Sequence, residues 1–551
     1  MNILHLSLQL LTPTTAEIRY FIDNPNVYQS RALLLSEIDD LIQLAEQDYF
    51  NRLPEEYLRT GRRLFNWLDG EKRFLAGALQ GVEALAIATS EKFAHLPWEV
   101  MADQAGLLVS RGIVPVRWLG NRSALRVDDR NREYELNLLL MATSPESQKV
   151  LDFEQEESRI IKATERAGLQ LVVEESGSLG ELGRLVTDYG RDHFDVFHLI
   201  GHAEIADGMP VFVTETDEGD AHLATATEIV DSFGGQFPPV VFLSGCRSGQ
   251  SAQQGRVASL SESLVQAGAT AVLGWGKSVL DTDATVAAEA LYGELAAGVN
   301  LVGAIAAVYK TLYENQCRDW HLLRVFVGDR IPGALVLPKR RRKKQPRMKF
   351  AETEFLDPVT GTMQVASRFT FVGRRRPLQR CLRSLKNDFD KVGVWIHGMG
   401  GLGKSSLAVR ICDRLPQDRI AIIGKLDEPR LVSALSNKLG RQADLIEILQ
   451  PEQPELKFRL LQVLEGYDRD LLMVLDDFEF NLEAIDSTYR LKPDVARVWA
   501  ALEWAIVQSG REHRLIVTCR YVLEPLGCCG GGLCSRWREW MGRSLARSES
   551  S

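Results

Sequence analysis

Residues 238–251, PPVVFLSGCRSGQS, place a cysteine directly after an apolar run of strand length. Cys246 follows Gly245, and small and polar residues follow it in turn. Free cysteines are among the most frequently buried residues, so a small side chain filling a strand end is the structural alternative to a nucleophile. The stretch alone favours the structural alternative, because a cysteine nucleophile is recognised only together with its partners.

Strand-like and helix-like segments alternate on both sides of this stretch. The strand-like apolar runs lie at 136–144, 169–176, 194–202, 238–246 and 270–276. Short apolar runs between amphipathic segments predict parallel β-strands with helices on both faces, an α/β fold. Catalytic groups in such sheets lie at the carboxyl ends of the strands, and both His202 and Cys246 are predicted to lie there.

Histidine and cysteine at two strand ends are a possible catalytic dyad. An imidazole stabilises a thiolate, which is the nucleophilic form of cysteine. Gly201 and Gly245 precede the two residues and permit close approach of the backbones. The amides after Cys246 are candidates for an oxyanion hole. His198 shares a strand face with His202, but we expect His202 to be more accessible because it follows the strand.

Four segments carry a resemblance to a known family: FAHLPWEVMADQAGLLVSRGIVPVRWL, FDVFHLIGHAEI, VVFLSGCRSGQ and SLSESLVQAGATAVLGWGKSVLDTDATVAAEALYGEL. Over about residues 85–337 the chain resembles the CHAT family of caspase-like cysteine peptidase domains, related in fold to caspases and separases. The resemblance implies that His202 is the catalytic histidine and Cys246 the nucleophile. Two positions depart from the family pattern, Ala203 where glycine is usual and Gly245 where alanine is usual.

The segment VLDTDAT adds candidate specificity residues. Asp281 and Asp283 follow the next predicted strand, near the place of a substrate side chain in a caspase-like cleft. An acid there would favour a basic residue before the cleaved bond. The structural alternative, which we prefer, is that Asp283 caps the following helix.

Length and charge restrict the class of protein. The chain has 551 residues and a formal net charge of −9, so no overall basic field favours nucleic acid. No run approaches the ~18 uncharged apolar residues of a membrane span. The alternating N-terminus predicts a strand rather than a signal peptide, and widely spaced cysteines suit a reducing compartment. We therefore expect a cytoplasmic protein that binds neither nucleic acid nor membrane.

The basic run KRRRKKQPRMK at 339–349 is the sharpest change in composition. Like charges beside proline are typical of an exposed linker, with a nucleic-acid patch as the alternative. The predicted organisation is an N-terminal α/β portion of the peptidase lobe at 1–130, a caspase-like domain at 131–338, a linker at 339–369, a nucleotide-binding domain at 370–525 and a flexible tail at 526–551.

A phosphate-loop motif follows the linker. Residues 398–405, GMGGLGKS, match G-x-x-x-x-G-K-[ST] between a predicted strand and a predicted helix, the context that the motif requires. Glycine amides would cradle phosphates, Lys404 would reach the terminal ones, and Ser405 would bind Mg²⁺. A second apolar strand ends in Asp476 and Asp477, candidates to hold Mg²⁺ and to orient a water.

Together with FVGRRRPLQRCLRSL and RLIVTCRY, this region resembles the NB-ARC (STAND) class of signalling ATPases over about 370–525. The resemblance implies bound ATP or ADP with Mg²⁺ and a P-loop α/β sheet. The candidate nucleotide-binding residues are Gly398, Gly400, Gly401, Gly403, Lys404, Ser405, Ser406, Arg374, Asp476, Asp477 and Arg520. The family's helical lid and winged helix do not follow, and the ending LGCCGGGLCSRWREWMGRSLARSESS indicates a truncated product.

These features predict a signalling cysteine peptidase whose caspase-like lobe is regulated by a nucleotide switch. Its partners would be a protein substrate and, on activation, further copies of itself. The alternative is a nucleotide-binding scaffold whose caspase-like lobe is inactive and only contacts other proteins. A P-loop ATPase with an unrelated N-terminal domain is disfavoured by the paired HLIGHAE and LSGCRSG segments.

Overall fold

The structure is a computed structural model. It describes residues 1–47, 57–120, 123–146, 168–245, 256–276, 279, 281–343, 353–357, 361–368, 371, 374–388, 390–440, 442–450, 455–485, 488–521 and 537–541. The chain divides into two compact units, one comprising Met1–Thr216 and Asp220–Arg347 and the other Asp217–Gly219 and Met348–Ser551.

A mixed sheet of 13 strands forms the centre of the first unit. In chain order its strands are β1 (Ile3–Thr12), β2 (Thr15–Phe21), β3 (Gln29–Leu34), β4 (Ala84–Thr89), β7 (Val114–Trp118), β9 (Leu136–Ala142), β10 (Leu169–Glu174), β11 (Val196–Ala206), β12 (Met209–Glu215), β13 (Ala221–Thr225), β14 (Val240–Gly245), β15 (Ala271–Trp275) and β16 (Leu323–Val327). Two small sheets are formed by β5 (Ala102–Asp103) with β6 (Gly106–Leu107) and by β8 (Arg126–Asp128) with β17 (Arg330–Pro332).

The strand order of the large sheet is β10-β9-β11-β14-β15-β16-β7-β4-β1-β2-β3, with β12 and β13 extending from β11. The neighbouring strands β10, β9, β11, β14 and β15 are all parallel, as the sequence predicts. β16 runs antiparallel to β15 and joins it to the strands of the first 120 residues. The N-terminal portion therefore continues the same sheet instead of forming one of its own.

Helices pack against both faces of this sheet. They are α1 (Asp39–Gln47), α2 (Tyr57–Asp69), α3 (Leu179–Tyr189), α4 (Ala226–Asp231), α5 (Arg256–Gln266), α6 (Asp281–Ala297) and α7 (Leu301–Glu314). Side chains of β11 alternate between two apolar cores, as the two-residue period of a strand requires. Val196 and Ile200 join α6 and α7, whereas Phe197 and Leu199 join α3, α4 and α5.

The second unit is built on a five-stranded parallel sheet in the order β21-β22-β25-β20-β26. Its strands are β20 (Gly393–His397), β21 (Asp418–Ile423), β22 (Leu471–Asp476), β25 (Arg514–Cys519) and β26 (Trp537–Met541), with hairpins β18 (Thr353–Asp357)–β19 (Thr362–Ala366) and β23 (Leu482–Ile485)–β24 (Thr488–Leu491). Its helices are α8 (Arg375–Asn387), α9 (Lys404–Asp413), α10 (Glu428–Leu439), α11 (Ala443–Ile448), α12 (Leu456–Gly466) and α13 (Pro493–Gln508).

Two local features differ from the expectation. β11 does not end before His202 but continues to Ala206, because β12 provides a new partner beyond the end of β9. Within the predicted flexible tail, Trp537–Met541 form the edge strand β26, hydrogen-bonded in parallel to β20. The predicted helix at 154–168 lies outside the described residues except for Gly168.

None of the helices in the described part of the chain is long and apolar enough to cross a membrane.

Candidate active site

The carboxyl ends of β11 and β14 lie side by side in the first unit. The two strands are parallel, and their register pairs Gly201 with Gly245. Neighbouring strands are about 4.8 Å apart. His202 and Cys246 therefore follow a matched pair of positions on adjacent strands, although Cys246 itself lies outside the described residues.

The sequence predicts that His202 follows its strand, but in the structure it lies inside β11. It is paired with Val213 of β12, in the half of β11 that extends beyond β9. Only 8% of the residue is exposed. Among the described residues, none hydrogen-bonds to His202 Nε2. A buried ring nitrogen without a described partner is available to exchange a proton with a neighbouring group.

The burial of His202 also determines its charge. Burial lowers the pKa of the imidazole below its ordinary value of 6.5, and the Glu204 carboxylate opposes part of this shift. The lowered pKa keeps the ring neutral at neutral pH. A neutral imidazole can accept a proton from a thiol, as a general base must.

His198 is a core residue. The strand period alone places His198 and His202 on the same face and so does not distinguish them as candidates. It is 1% exposed and stacks on Phe242, with ring centroids 4.9 Å apart. Complete burial lowers the pKa of His198 to about 3. Its ring stays uncharged and enclosed, so of the two histidines only His202 remains a candidate.

Asp283 lies within the first turn of α6 and not at its N-cap, because the helix begins two residues earlier at Asp281. The expectation that Asp283 caps this helix is wrong. Asp283 is 6% exposed, and its Oδ2 has no hydrogen-bond partner among the described residues. Burial and the nearby Asp283 carboxylate raise the pKa of the Cys317 thiol to about 11.

In the second unit, the glycine-rich loop joins β20 to α9, and α9 begins at Lys404. Gly401 and Gly403 have φ angles of 80° and 78°, which glycine adopts without strain. Lys404 Nζ donates to the carbonyl oxygens of Gly398 (3.0 Å) and Met399 (3.1 Å). The loop therefore curls around the ammonium group at the N-terminus of a helix.

A hydroxyl–carboxylate network lies beside this loop. Ser405 Oγ donates to Asp476 Oδ1 at 2.9 Å, and the Thr518 hydroxyl donates to the same oxygen. Burial raises the pKa of the Asp476 carboxyl, while hydrogen bonds from Thr518 and Ser405 oppose this. Asp477 has a φ of 50°, and its amide donates to Thr518 Oγ1 at 3.2 Å.

The remaining candidates of the second unit divide into two groups. Arg374 Nη2 donates to the loop carbonyl of Leu402 at 2.8 Å. Arg520 lies 2.7 Å from Glu479 Oε1, and its guanidinium is 3.7 Å from the position of a Cβ on Gly400. Ser406 instead points away, since its hydroxyl accepts a hydrogen bond from the Ala366 amide of β19 at 3.3 Å.

Comparison with curated proteins finds no match for this chain. Two solved structures are similar at 11% identity. The match to the Saccharomyces cerevisiae separase–securin complex has a TM-score of 0.33. It includes 60% of the present chain and 30% of the chain in that structure. The match to caspase-1 from Spodoptera frugiperda has a TM-score of 0.27. It includes 40% of the present chain and 95% of the caspase chain. The family model described as "CHAT domain" matches residues 58–371.

Proposed function

The chain belongs to the CHAT domain family, whose model covers more than half of its 551 residues, and from this premise we propose that its first unit is a cysteine peptidase. His202 and Cys246 would form the catalytic dyad. The observation that carries the proposal is the register of β11 and β14, which pairs Gly201 with Gly245 immediately before the two residues.

The proposed reaction uses each member of the dyad twice. His202 accepts the thiol proton of Cys246, and the thiolate attacks the carbonyl carbon of a peptide bond. The C–N bond breaks as His202 returns the proton to the leaving amine. His202 then takes a proton from a water molecule, whose oxygen cleaves the thioester and restores the thiol.

The backbone at Ala203 supports activity despite the departure from the family pattern. Ala203 pairs with Phe212 in the antiparallel half of β11. The φ angle of Ala203 is not positive, so alanine adopts this backbone conformation without strain. The alternative, an inactive interaction domain, therefore gains no support from strain at this position.

Alkylation of Cys246 at different pH values tests the dyad. An activated thiol has a pKa of roughly 3.5–7.5, whereas a free one has a pKa of about 8.5. We expect Cys246 to react with iodoacetamide well below pH 8 in the wild type and to lose this reactivity in His202→Ala. Peptide mass spectrometry gives the rate for each cysteine separately.

The same experiment contains two controls. Cys317, whose thiol pKa is raised to about 11, should react only at alkaline pH. His222→Ala removes an exposed histidine that lies 3.6 Å from Glu228 Oε1, and should leave the Cys246 profile unchanged. Identical profiles for the wild type and His202→Ala would contradict the peptidase and favour the inactive domain.

Substrate preference is the second part of the proposal, and it concerns Asp281 and Asp283. We propose that one of the two carboxylates selects a basic residue before the cleaved bond. Asp283→Asn should lower cleavage of arginyl peptides by about tenfold to a hundredfold, the value of a charge-assisted hydrogen bond, and leave leucyl peptides unaffected. Asp281→Asn is the matched comparison: if it alone has this effect, Asp281 is the determinant, and if neither has it, the preference is excluded.

We also propose that the second unit binds ATP or ADP with Mg²⁺ and that nucleotide state regulates the peptidase through self-association. Two observations support the fit of the residues. Lys404 lies inside a loop that curls around its ammonium, and Ser405 Oγ and Asp476 Oδ1 lie 2.9 Å apart, so both would supply the oxygen ligands that Mg²⁺ prefers. The loop amides, with Arg374 and Arg520 nearby, would face the phosphates, and a terminal phosphate would supply the charge that distinguishes the two states.

A further inference from the structure

A buried threonine directly follows β9 and contacts Gly201, the residue before His202. Thr143 is fully buried. Its amide donates to the carbonyl oxygen of Ile200 at 2.8 Å. Its hydroxyl donates to the carbonyl oxygen of Val213 at 2.8 Å and lies 3.3 Å from that of Ile200. One side chain thus joins β11, β12 and the end of β9.

These hydrogen bonds occur where β11 changes partner. β9 pairs with β11 as far as Ile200, which lies opposite Ala142. β12 pairs with β11 from His202 onward, and His202 lies opposite Val213. On this edge of β11, Gly201 pairs with neither the parallel strand β9 nor the antiparallel strand β12, and Thr143 lies beside it. The backbone direction at His202 depends on the contacts that fix β11 where its partner changes from β9 to β12.

Gly201 pairs only with Gly245 of β14, on the opposite edge of β11, and its lack of a side chain makes room for the threonine. A Cβ on Gly201 would lie 2.2 Å from Thr143 Oγ1 and 2.8 Å from the Phe212 ring. The hydroxyl of Thr143 consequently packs directly on the backbone that precedes His202. Loss of the hydroxyl removes the donor 2.8 Å from the carbonyl oxygen of the buried Val213, whereas the Thr143 amide still donates to Ile200.

We infer that Thr143 is a positioning residue for His202. Its hydroxyl holds the carbonyl group of Val213 and its amide that of Ile200, on either side of the change of partner, and together they fix the backbone that carries the imidazole. The inference rests on the proposed dyad, because it assigns Thr143 a role only through His202. Small displacements of a catalytic group can lower a rate by about a hundredfold.

The test compares the pH profile of Cys246 alkylation in the wild type and in Thr143→Val, Thr143→Ser and His202→Ala. Thr143→Val removes the hydroxyl and keeps the branched shape, whereas Thr143→Ser keeps the hydroxyl. We expect Thr143→Val to slow alkylation at pH 7 by about tenfold to a hundredfold and to shift the profile toward that of His202→Ala. Thr143→Ser should retain the wild-type profile, a rescue that a purely space-filling role does not predict.

Matched controls separate positioning from general stability. Thr187→Val removes another hydroxyl that donates to a carbonyl at 2.8 Å, that of Gly183 in α3, and should leave alkylation unchanged. If Thr143→Val lowers the thermal unfolding midpoint, Thr143→Ala repeats the comparison without the extra methyl group, at a temperature where both proteins are folded.

The outcomes distinguish the inference from the proposed function. A Thr143→Val profile equal to wild type, while His202→Ala differs, overturns the positioning role and leaves the dyad intact. A Thr143→Ser profile that matches Thr143→Val also overturns it. Equal profiles for wild type and His202→Ala overturn the dyad and the positioning role together.

Discussion

Replacing Lys404 by alanine is expected to abolish most of the nucleotide affinity that we propose for the second unit. The ammonium lies within the loop at the start of α9, where it donates hydrogen bonds to the carbonyl oxygens of Gly398 and Met399. A phosphate would replace these neutral partners with charged ones. Loss of about two charge-assisted hydrogen bonds costs about 3 kcal/mol, roughly a hundredfold in affinity.

Binding of a fluorescent ATP analogue, with and without Mg²⁺, measures this effect. Lys438→Ala is the matched control, because Lys438 pairs with Asp418 at 3.5 Å, at the opposite edge of the sheet where β21 begins. The control should bind like the wild type. If Lys404→Ala retains wild-type affinity, or if the wild type does not bind, the proposed nucleotide site is excluded.

Replacing Gly201 by alanine is expected to destabilise the first unit and to disturb the dyad. The new Cβ would lie 2.2 Å from Thr143 Oγ1, and a buried threonine with two hydrogen-bonded carbonyls has little freedom to move. Excess volume in a packed core costs about 1–3 kcal/mol. Urea unfolding should show that loss, and the low-pH reactivity of Cys246 should fall with it.

Gly293→Ala is the control for the Gly201 substitution. Gly293 lies in α6, and no heavy atom lies within 4 Å of its Cβ position. Alanine there should raise the unfolding free energy by about 0.5–1 kcal/mol, since glycine is the weaker helix former. Equal stability of wild type and Gly201→Ala would contradict the close packing around Thr143.

Local patterns in the sequence predict much of the first unit. The resemblance to CHAT domains is confirmed by the family model over 58–371. Apolar runs of strand length between amphipathic segments form β9, β10, β11, β14 and β15, as is typical of parallel strands that are buried on both faces. The glycine–histidine and glycine–cysteine segments predict which two strand ends form the active site. The catalytic roles of His202 and Cys246 remain predictions.

Other features depend on partners that are distant in sequence. The antiparallel direction of β16, the addition of β1–β4 to the same sheet and the extension of β11 along β12 all result from pairing between remote segments. Nothing in the local sequence distinguishes Thr143 from other small polar residues that follow strands. Its hydrogen bonds to Ile200 and Val213 join residues more than 50 positions away.

The sequence by itself determined the central parallel strands of the first unit and the CHAT family, because these depend on local residue type, spacing and period. Only the tertiary structure decided that His198 is enclosed in the core beneath Phe242, whereas His202 lies at the change of sheet partner and is 8% exposed. The strand period places both histidines on one face. Their environments differ because Phe242 covers the first, whereas the second lies where the sheet changes partner.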